Sequence, residues 1–160
     1  MVNYIWYNGI VPNNLKIRQV YGFVFTDDGR SILRIEDNKY KLTGGKPELR
    51  ESLKETLKRE YIEELNVELK DIYYLGYLLV EENNEKYAQV RMIAKVKNIN
   101  ENHIDPATGE MYGRKLVDIN NVKKYLNYSD EAGNLMIDDA IKLAKEKYNF
   151  KDFNTNEETI

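Results

Sequence analysis

The sequence predicts a domain that combines helices and strands, of the α/β or α+β class. Short runs rich in β-branched and aromatic residues recur between residues 20 and 119. One long helical segment interrupts them directly after a pair of glycines, and a second lies near the end of the chain. With 160 residues the chain can form one domain with its own core. We assign residues 1–150 to that domain and residues 151–160 to a loose polar tail.

The N-terminal segment, residues 1–17, has no regular periodicity but contains a dense aromatic group at Tyr4, Trp6 and Tyr7. Aromatic side chains usually belong to a core. We therefore expect an edge strand or a lid that packs on the domain. The alternative is that Trp6 or Tyr7 stacks on the base of a ligand.

Two strands, residues 20–25 and 32–36, are predicted to form a hairpin. The turn between them contains Asp28 followed by Gly29, which is a strong hairpin signal. A short strand at residues 40–43 follows and leads into the paired glycines. This part of the chain therefore predicts a strand that delivers a glycine loop into a helix.

The helix after the glycine loop is predicted at residues 53–65, a stretch without Gly or Pro that is rich in good helix formers. Ser52 is the expected N-cap because Glu55 follows three residues later. Asn66 is expected to end the helix in the left-handed conformation, which Asn tolerates better than most residues other than Gly.

Two long strands, residues 71–82 and 87–96, are predicted to form a second hairpin. Apolar residues alternate in both strands, which predicts one apolar face for each strand. Arg91 lies on the side of its strand opposite to the apolar set. The apolar set of the first strand comprises Tyr73, Leu75, Tyr77 and Leu79.

The C-terminal part is predicted to contain a strand at residues 114–119 and a short helix that ends near residue 126. A longer helix is predicted from about residue 133 to residue 148, where an apolar stripe indicates core packing. The residues of the stripe are Ile137, Ala140, Ile141, Ala144 and Tyr148.

Three glutamates share one face of the first helix. Glu60, Glu63 and Glu64 are three and four residues apart, so their side chains occupy an arc of about 100°. Like charges at this spacing repel, and the last turn of a helix already carries negative dipole charge. The plain interpretation is a solvated acidic face. The alternative is a site for a divalent cation such as Mg²⁺ or Mn²⁺, which binds carboxylate oxygens.

The segment around this helix resembles the Nudix box. The last Gly of the family pattern is Asn66 here, a replacement that keeps the left-handed geometry available. Arg50 and Thr56 replace small residues that are common at their positions in the family. The residues that carry the resemblance are Gly45, Glu51, Arg59, Glu60, Tyr61, Glu63, Glu64, Asn66 and Val67.

The resemblance implies a Nudix-type α/β/α sandwich with a mixed sheet. It also implies a hydrolase that cleaves the diphosphate linkage of a nucleoside diphosphate derivative, with Mg²⁺ or Mn²⁺ as cofactor. Water would attack phosphorus while the metal lowers the pKa of the water and neutralises developing charge. The sequence does not choose among dinucleotide polyphosphates, ADP-sugars, oxidised deoxynucleotides and non-nucleotide diphosphates.

The resemblance also implies roles for the residues of the box. Arg59 would hold a carboxylate in place, and Glu51 would reach either a second ion or Arg59. Glu63 would be a ligand or would orient a metal-bound water. The implied metal ligands are Glu60, Glu63, Glu64 and the backbone carbonyl of Gly44.

A long stretch without periodicity, residues 98–113, is predicted to be a functional loop. In relatives, a loop in this region can supply the general base. Glu101, Asp105 and Glu110 are the candidates, with Glu110 as first choice. The single histidine, His103, is expected to be a surface residue although its ordinary pKa would suit a catalyst.

Three further residues, Arg34, Arg91 and Tyr112, are the expected substrate contacts. An arginine on or beside a strand could meet a phosphate, and a tyrosine offers a surface for stacking. Each of them could equally have a structural role, because surface arginines are often only solvated and tyrosine is ordinary strand material.

Composition excludes several other functions. A net charge of −3 argues against a nucleic-acid backbone as the main partner. The chain has no Cys, which excludes disulfides and a thiolate nucleophile, and which disfavours the isomerase branch of the resembled fold. It shows no signal-peptide pattern and no apolar run of about 18 residues, so we expect a cytoplasmic enzyme without a membrane partner. A homodimer is possible because relatives are often dimers.

Two alternatives to an enzyme stay open. The first is a Nudix-fold binding or regulatory domain that keeps the nucleotide pocket without catalysis. The second is a structural domain with a coincidentally acidic helix. The complete set of box carboxylates argues against the first alternative.

Overall fold

The computed structural model describes all 160 residues of the chain. The strands are β1 (Val2–Tyr7), β2 (Ile17–Phe25), β3 (Arg30–Glu36), β4 (Lys39–Lys41), β5 (Thr43–Gly45), β6 (Val67–Glu82), β7 (Glu85–Ile99), β8 (Gly113–Asp118) and β9 (Glu158–Thr159). The helices are α1 (Leu53–Leu65), α2 (Val122–Leu126) and α3 (Glu131–Tyr148), and a 3₁₀ turn (Ile119–Asn121) leads into α2.

All nine strands belong to one sheet, in the order β1-β6-β7-β2-β3-β8-β9, with β4 paired to β3 and β5 paired to β2. The contact between β2 and β7 is parallel, and every other strand pair is antiparallel. The sheet is therefore mixed, as the resemblance implies. The parallel pair brings the strand of Arg91 beside the strand that pairs with the glycine loop.

Helices cover both faces of the sheet, and each face has its own core. Helix α1 packs on one face through Leu57, Tyr61 and Leu65. Helices α2 and α3 pack on the other face. The predicted α/β/α sandwich is confirmed. The buried residues of α2 and α3 in the second core are Val122, Leu126, Ala132, Met136, Ile137, Ala140 and Ala144.

The N-terminal segment contains the expected edge strand, because β1 pairs only with β6. The indole N–H of Trp6 donates a hydrogen bond to Asp139 of α3 at 2.7 Å. The ring of Tyr7 stacks on Tyr77 with 5.2 Å between centroids. Both aromatic residues thus have structural contacts that attach β1 to the domain.

The single apolar face predicted for the sixth strand is wrong, because the pairing of β6 with β7 is irregular between Tyr74 and Gly76. Leu75 packs in the core under α3, whereas Tyr77 packs in the core under α1. An irregularity of this kind shifts the alternation of side chains between the two faces by one residue, and nothing in the local sequence predicts it.

The C-terminal segment is docked on the domain, so the prediction of a loose tail is corrected. Strand β9 pairs with β8 at the far edge of the sheet. The Glu157 carboxylate accepts hydrogen bonds at both oxygens, from the backbone N–H of Asp118 at Oε2 (3.1 Å) and from the Tyr125 hydroxyl at Oε1 (2.6 Å). These partners lie more than 30 residues away in sequence, so the composition of the C-terminal segment alone does not predict them.

Candidate active site

The paired glycines let the backbone approach its neighbours more closely than any other residue would. A Cβ atom on Gly44 would collide with the carbonyl oxygen of Val20, and one on Gly45 would collide with the carboxylate of Glu60. Gly44 is paired with Tyr21 of β2. The loop therefore places a carboxylate of α1 directly against bare backbone.

Helix α1 begins and ends where the sequence predicts. The hydroxyl of Ser52 accepts a hydrogen bond from the backbone N–H of Glu55 at 3.1 Å. Asn66 adopts the left-handed conformation, with φ 53° and ψ 46°, and its backbone N–H donates to the carbonyl of Ile62. The last turn contains no basic residue, so no lysine or arginine there balances the negative end of the helix dipole.

Arg59 donates hydrogen bonds to three carboxylates of the box. Its Nε and Nη2 donate to the two oxygens of Glu51 at 2.8 and 3.0 Å, a bidentate pair. Its Nη1 donates to Glu60 at 3.0 Å and to Glu63 at 3.2 Å. The hydrogen bonds from Arg59 hold the pKa of Glu51 down at about 2. The structure thus brings Arg59 and Glu51 together, as the resemblance implies.

Two carboxylates of α1 are desolvated. Glu64 is only 8 % exposed, and burial raises its pKa to about 7 although Arg34 Nη1 lies 2.7 Å from its Oε2. Burial also raises the pKa of Glu60, and the nearby carboxylate of Glu63 adds to this effect. Negative charge at this place is therefore costly, and a cation would relieve the cost.

The donor set suits a hard divalent cation, because it consists of carboxylate oxygens beside a bare glycine backbone. No three acidic or histidine side chains surround a common point in this arrangement. Arg34 holds Glu64, and Arg59 holds Glu60 and Glu63. Chemistry and position fit an ion, and its entry requires these carboxylates to turn from the two arginines.

Arg34 and Tyr112 lie together beside Glu64. The Arg34 guanidinium lies over the Tyr112 ring, 5.1 Å from its centroid, and also pairs with Glu36 at 3.2 Å. Tyr112 is buried, and its hydroxyl donates to Thr108 at 3.2 Å. The two predicted substrate contacts are therefore adjacent to the box carboxylates.

The loop before β8 places its acidic residues differently from the expectation. Glu110 and Glu101 are exposed. Asp105 is only 3 % exposed, and its charge is among those that raise the pKa of Glu60 after burial has done so. The local sequence around these three acids does not show which of them is buried, because the path of the folded loop decides it.

His103 caps the C-terminal end of α1. Its Nε2 lies 2.7 Å from the carbonyl oxygen of Ile62 and 3.0 Å from that of Glu63. A donor at this point adds a partner for the carbonyls at the end of the helix, of which that of Ile62 also accepts the backbone N–H of Asn66. The expectation of an uninvolved surface histidine misses this contact, which no local pattern signals.

Arg91 lies on the face of the sheet covered by α3. It is paired with Tyr21 of the neighbouring parallel strand β2. It is 6 % exposed and makes no ion pair with any carboxylate of the box. The predicted position on the side opposite to the apolar set of its strand is confirmed, since Val90 and Met92 pack in the core under α1.

None of the helices is sufficiently long and apolar to cross a lipid bilayer. The family model of the NUDIX domain matches residues 15–136. No curated protein sequence matches the chain.

Solved structures similar to this chain share its fold. The pyrophosphohydrolase BsRppH of Bacillus subtilis, in a mutant form, is 20% identical with a TM-score of 0.69, and the match covers 88% of this chain and 90% of that chain. A MutT structure from work on Aliivibrio salmonicida and Vibrio cholerae is 17% identical with a TM-score of 0.57, covering 79% and 96%. The family model spans most of the domain, including the glycine loop, α1 and most of both cores, and on that match the chain belongs to the Nudix domain family.

Proposed function

We propose that the chain is a divalent-metal-dependent hydrolase that cleaves the diphosphate linkage of a nucleoside diphosphate derivative by attack of water at phosphorus. The similarity of the fold to a pyrophosphohydrolase of Bacillus subtilis supports this class of reaction. The proposed dependence on a divalent metal and the proposed nucleoside diphosphate substrate rest on the residues of the site in this chain.

One observation carries the proposal: Glu60 and Glu64 of α1 are both desolvated, and Glu60 lies directly against the glycine loop. Such an arrangement weakens the isolated domain, because like charges repel and the helix dipole adds to the repulsion. A bound Mg²⁺ or Mn²⁺ would offset both effects, because it attracts the carboxylates and the negative end of the helix dipole.

The residues that would hold the cation are Glu60, Glu63, Glu64 and the carbonyl of Gly44. When bound, it supplies Lewis-acid stabilisation of phosphoryl oxygens and a water of lowered pKa. Glu51 and Arg59 act as positioning residues, because their bidentate pair fixes the guanidinium that holds Glu60 and Glu63. Arg34 can move from Glu64 to a substrate phosphate, for which its planar fork is suited.

For the general base we propose Asp105 in place of Glu110. Asp105 is buried near Glu60, whereas Glu110 is exposed. One oxygen of Asp105 accepts the backbone N–H of Ala107 at 2.8 Å, which leaves the other oxygen without a protein donor. A carboxylate held in this way can accept a proton from water.

The proposed partner is a small molecule. A net charge of −3 favours a short anionic substrate held by local arginines and metal over a long nucleic-acid backbone. A cytoplasmic location and a homodimer stay predictions from the sequence.

The test is a panel of diphosphate-linked compounds incubated with Mg²⁺ or Mn²⁺, with released phosphate measured after phosphatase coupling. We expect turnover that EDTA abolishes. Glu64→Gln should lower turnover by roughly 100-fold or more while the melting temperature stays equal or rises, because a repelling charge is removed. Glu55→Gln, on the exposed first turn of the same helix, is the matched control and should retain activity.

A non-catalytic nucleotide-binding domain is the second candidate. The ion pairs of Arg34 and Arg59 with the box carboxylates favour it, since they already neutralise the site. Nucleotide binding without turnover of any compound in the panel would establish this candidate and refute the hydrolase.

A further inference from the structure

A second feature of the molecule, separate from the box carboxylates, is a hollow of about 320 Å³ beneath the N-terminal end of α3. Strand β1 contributes Tyr4 to its wall, β7 contributes Arg91, and the segment that enters α3 contributes Tyr128 and Asp130. The volume lies at the lower end of the range for small-molecule sites. It suits one flat ring system better than a large ligand.

Arg91 is a buried charge without a counter-charge. Its Nη2 donates to the side-chain oxygen of Gln89 at 3.3 Å, and its Nη1 donates to the carbonyl of Val90 at 3.4 Å, both long bonds. Its Nε has no partner at all. A buried guanidinium is costly unless acceptors satisfy it. Burial accordingly lowers the pKa of Arg91.

Aromatic rings surround this guanidinium. Its central carbon lies 4.8 Å from the centroid of the Tyr21 ring. Tyr128 and Tyr4 line the same hollow as Arg91. Flat faces around a planar donor are the setting in which proteins bind aromatic bases.

A path joins this hollow to the box. A neighbouring hollow of about 310 Å³ shares Arg91, Gln89 and Tyr128 with the first and extends to Arg34 and Lys41. Arg34 is the residue that pairs with Glu64. A ligand with its diphosphate at the box could therefore reach Arg91 with its other end.

We propose that Arg91 and Asp130 bind the base of the substrate and select a 6-oxopurine such as guanine. An arginine fork matches the adjacent O6 and N7 acceptors of guanine, whereas adenine presents an amino donor in place of O6. One oxygen of Asp130 accepts the backbone N–H of Gly133 at 2.9 Å, which leaves the other free for the N–H groups of the base. The same carboxylate disfavours a phosphate in this hollow.

This inference rests on the proposed function for the position of the diphosphate, but its test does not require turnover. We would measure binding of GMP, AMP and inorganic phosphate to the full chain by calorimetry, without metal. GMP is expected to bind about tenfold or more tighter than AMP, the discrimination typical of a bidentate arginine. Phosphate alone should not displace GMP from the hollow.

Variants separate recognition from folding. Arg91→Met should abolish the preference for GMP while the melting temperature stays equal or rises, because a buried unpaired charge is removed. Arg91→Lys keeps the charge without the fork and should also lose the preference. Arg18→Met is the matched control, since Arg18 also lies over a tyrosine ring on the sheet but is 37% exposed and paired with Glu85.

Equal binding of GMP and AMP, or a GMP preference that survives in Arg91→Met and Arg91→Lys, would overturn the inference. Binding of phosphate with the affinity of GMP would overturn it in favour of an anion site. Glu64→Gln should keep the GMP preference even though it loses hydrolysis. A GMP preference without hydrolysis of any diphosphate therefore refutes only the proposed function, and hydrolysis without a base preference refutes only this inference.

Discussion

Gly45 and Glu60 show how a single residue positions a carboxylate of the candidate site. Glu60 lies against Gly45 because that residue has no side chain, and the same carboxylate accepts a hydrogen bond from Arg59. Glycine is needed here for proximity and not for an unusual φ, since Gly45 is not among the residues with positive φ. The residue therefore acts through the position of a carboxylate.

Replacing Gly45 with alanine should displace that carboxylate. The methyl group would meet the flexible end of Glu60, which can rotate away, so we expect a stability change of at most about 1 kcal/mol. Turnover should fall at least tenfold. Gly9→Ala is the control, because no atom lies within 4 Å of its added methyl group. A Gly45→Ala enzyme with normal turnover would show that Glu60 does not need its observed position.

Local sequence signals predict the bounds of helix α1, the element that contains most of the site. Ser52 and Asn66 fix both ends of α1, and each does so through the contact that its residue type predicts. The elements that the sequence misplaces are those with distant partners. Strand β9 has two residues, and its pairing with β8 depends on the folded position of β8.

The docking of the C-terminal segment predicts a stability effect for Glu157→Gln. The amide cannot accept at both oxygen positions, so at least one of three hydrogen bonds is lost. We expect a loss of about 1–2 kcal/mol in the free energy of unfolding measured with urea. Glu158→Gln, whose side chain is 57% exposed, should change it by less than about 0.5 kcal/mol. Equal stability of both variants would instead support the hypothesis that residues 151–160 form a loose tail.

The turn between β2 and β3 makes stability depend on pH. Burial would raise the pKa of Asp28, but hydrogen bonds from Thr26, Arg30 and Asn154 outweigh burial and hold it at about 2, below the ordinary 3.8. The native state therefore gains stability above the unfolded value and loses it as the pH falls through about 2.

Asp28→Asn should accordingly destabilise the protein near neutral pH by roughly 1 kcal/mol, a value reduced for solvent screening because the side chain is 38% exposed. The difference from the wild type should shrink between pH 3.8 and about 2. Urea unfolding at a series of pH values measures it. A difference that is constant with pH would mean that the carboxylate charge is not responsible.

The sequence predicts the order of most strands and helices for the whole molecule, because periodicity and turn residues are local properties. It also identifies the residues of the box, whose spacing places them on one helix face. Three features require the assembled fold: the shifted alternation at Gly76, the burial of Asp105, and the cover of α3 over Arg91. Each depends on which distant segments meet, and local patterns do not carry that information.

The central claim is that α1 and the glycine loop hold a divalent cation. Calorimetric titration of Mg²⁺ into the full chain tests it most directly, with Glu64→Gln as the variant and Glu55→Gln as the control. We expect binding by the wild type and the control, and affinity reduced at least tenfold in Glu64→Gln. Wild-type protein that binds no Mg²⁺, or a Glu64→Gln protein that binds it as tightly as the wild type, would show that the box carboxylates do not hold a cation.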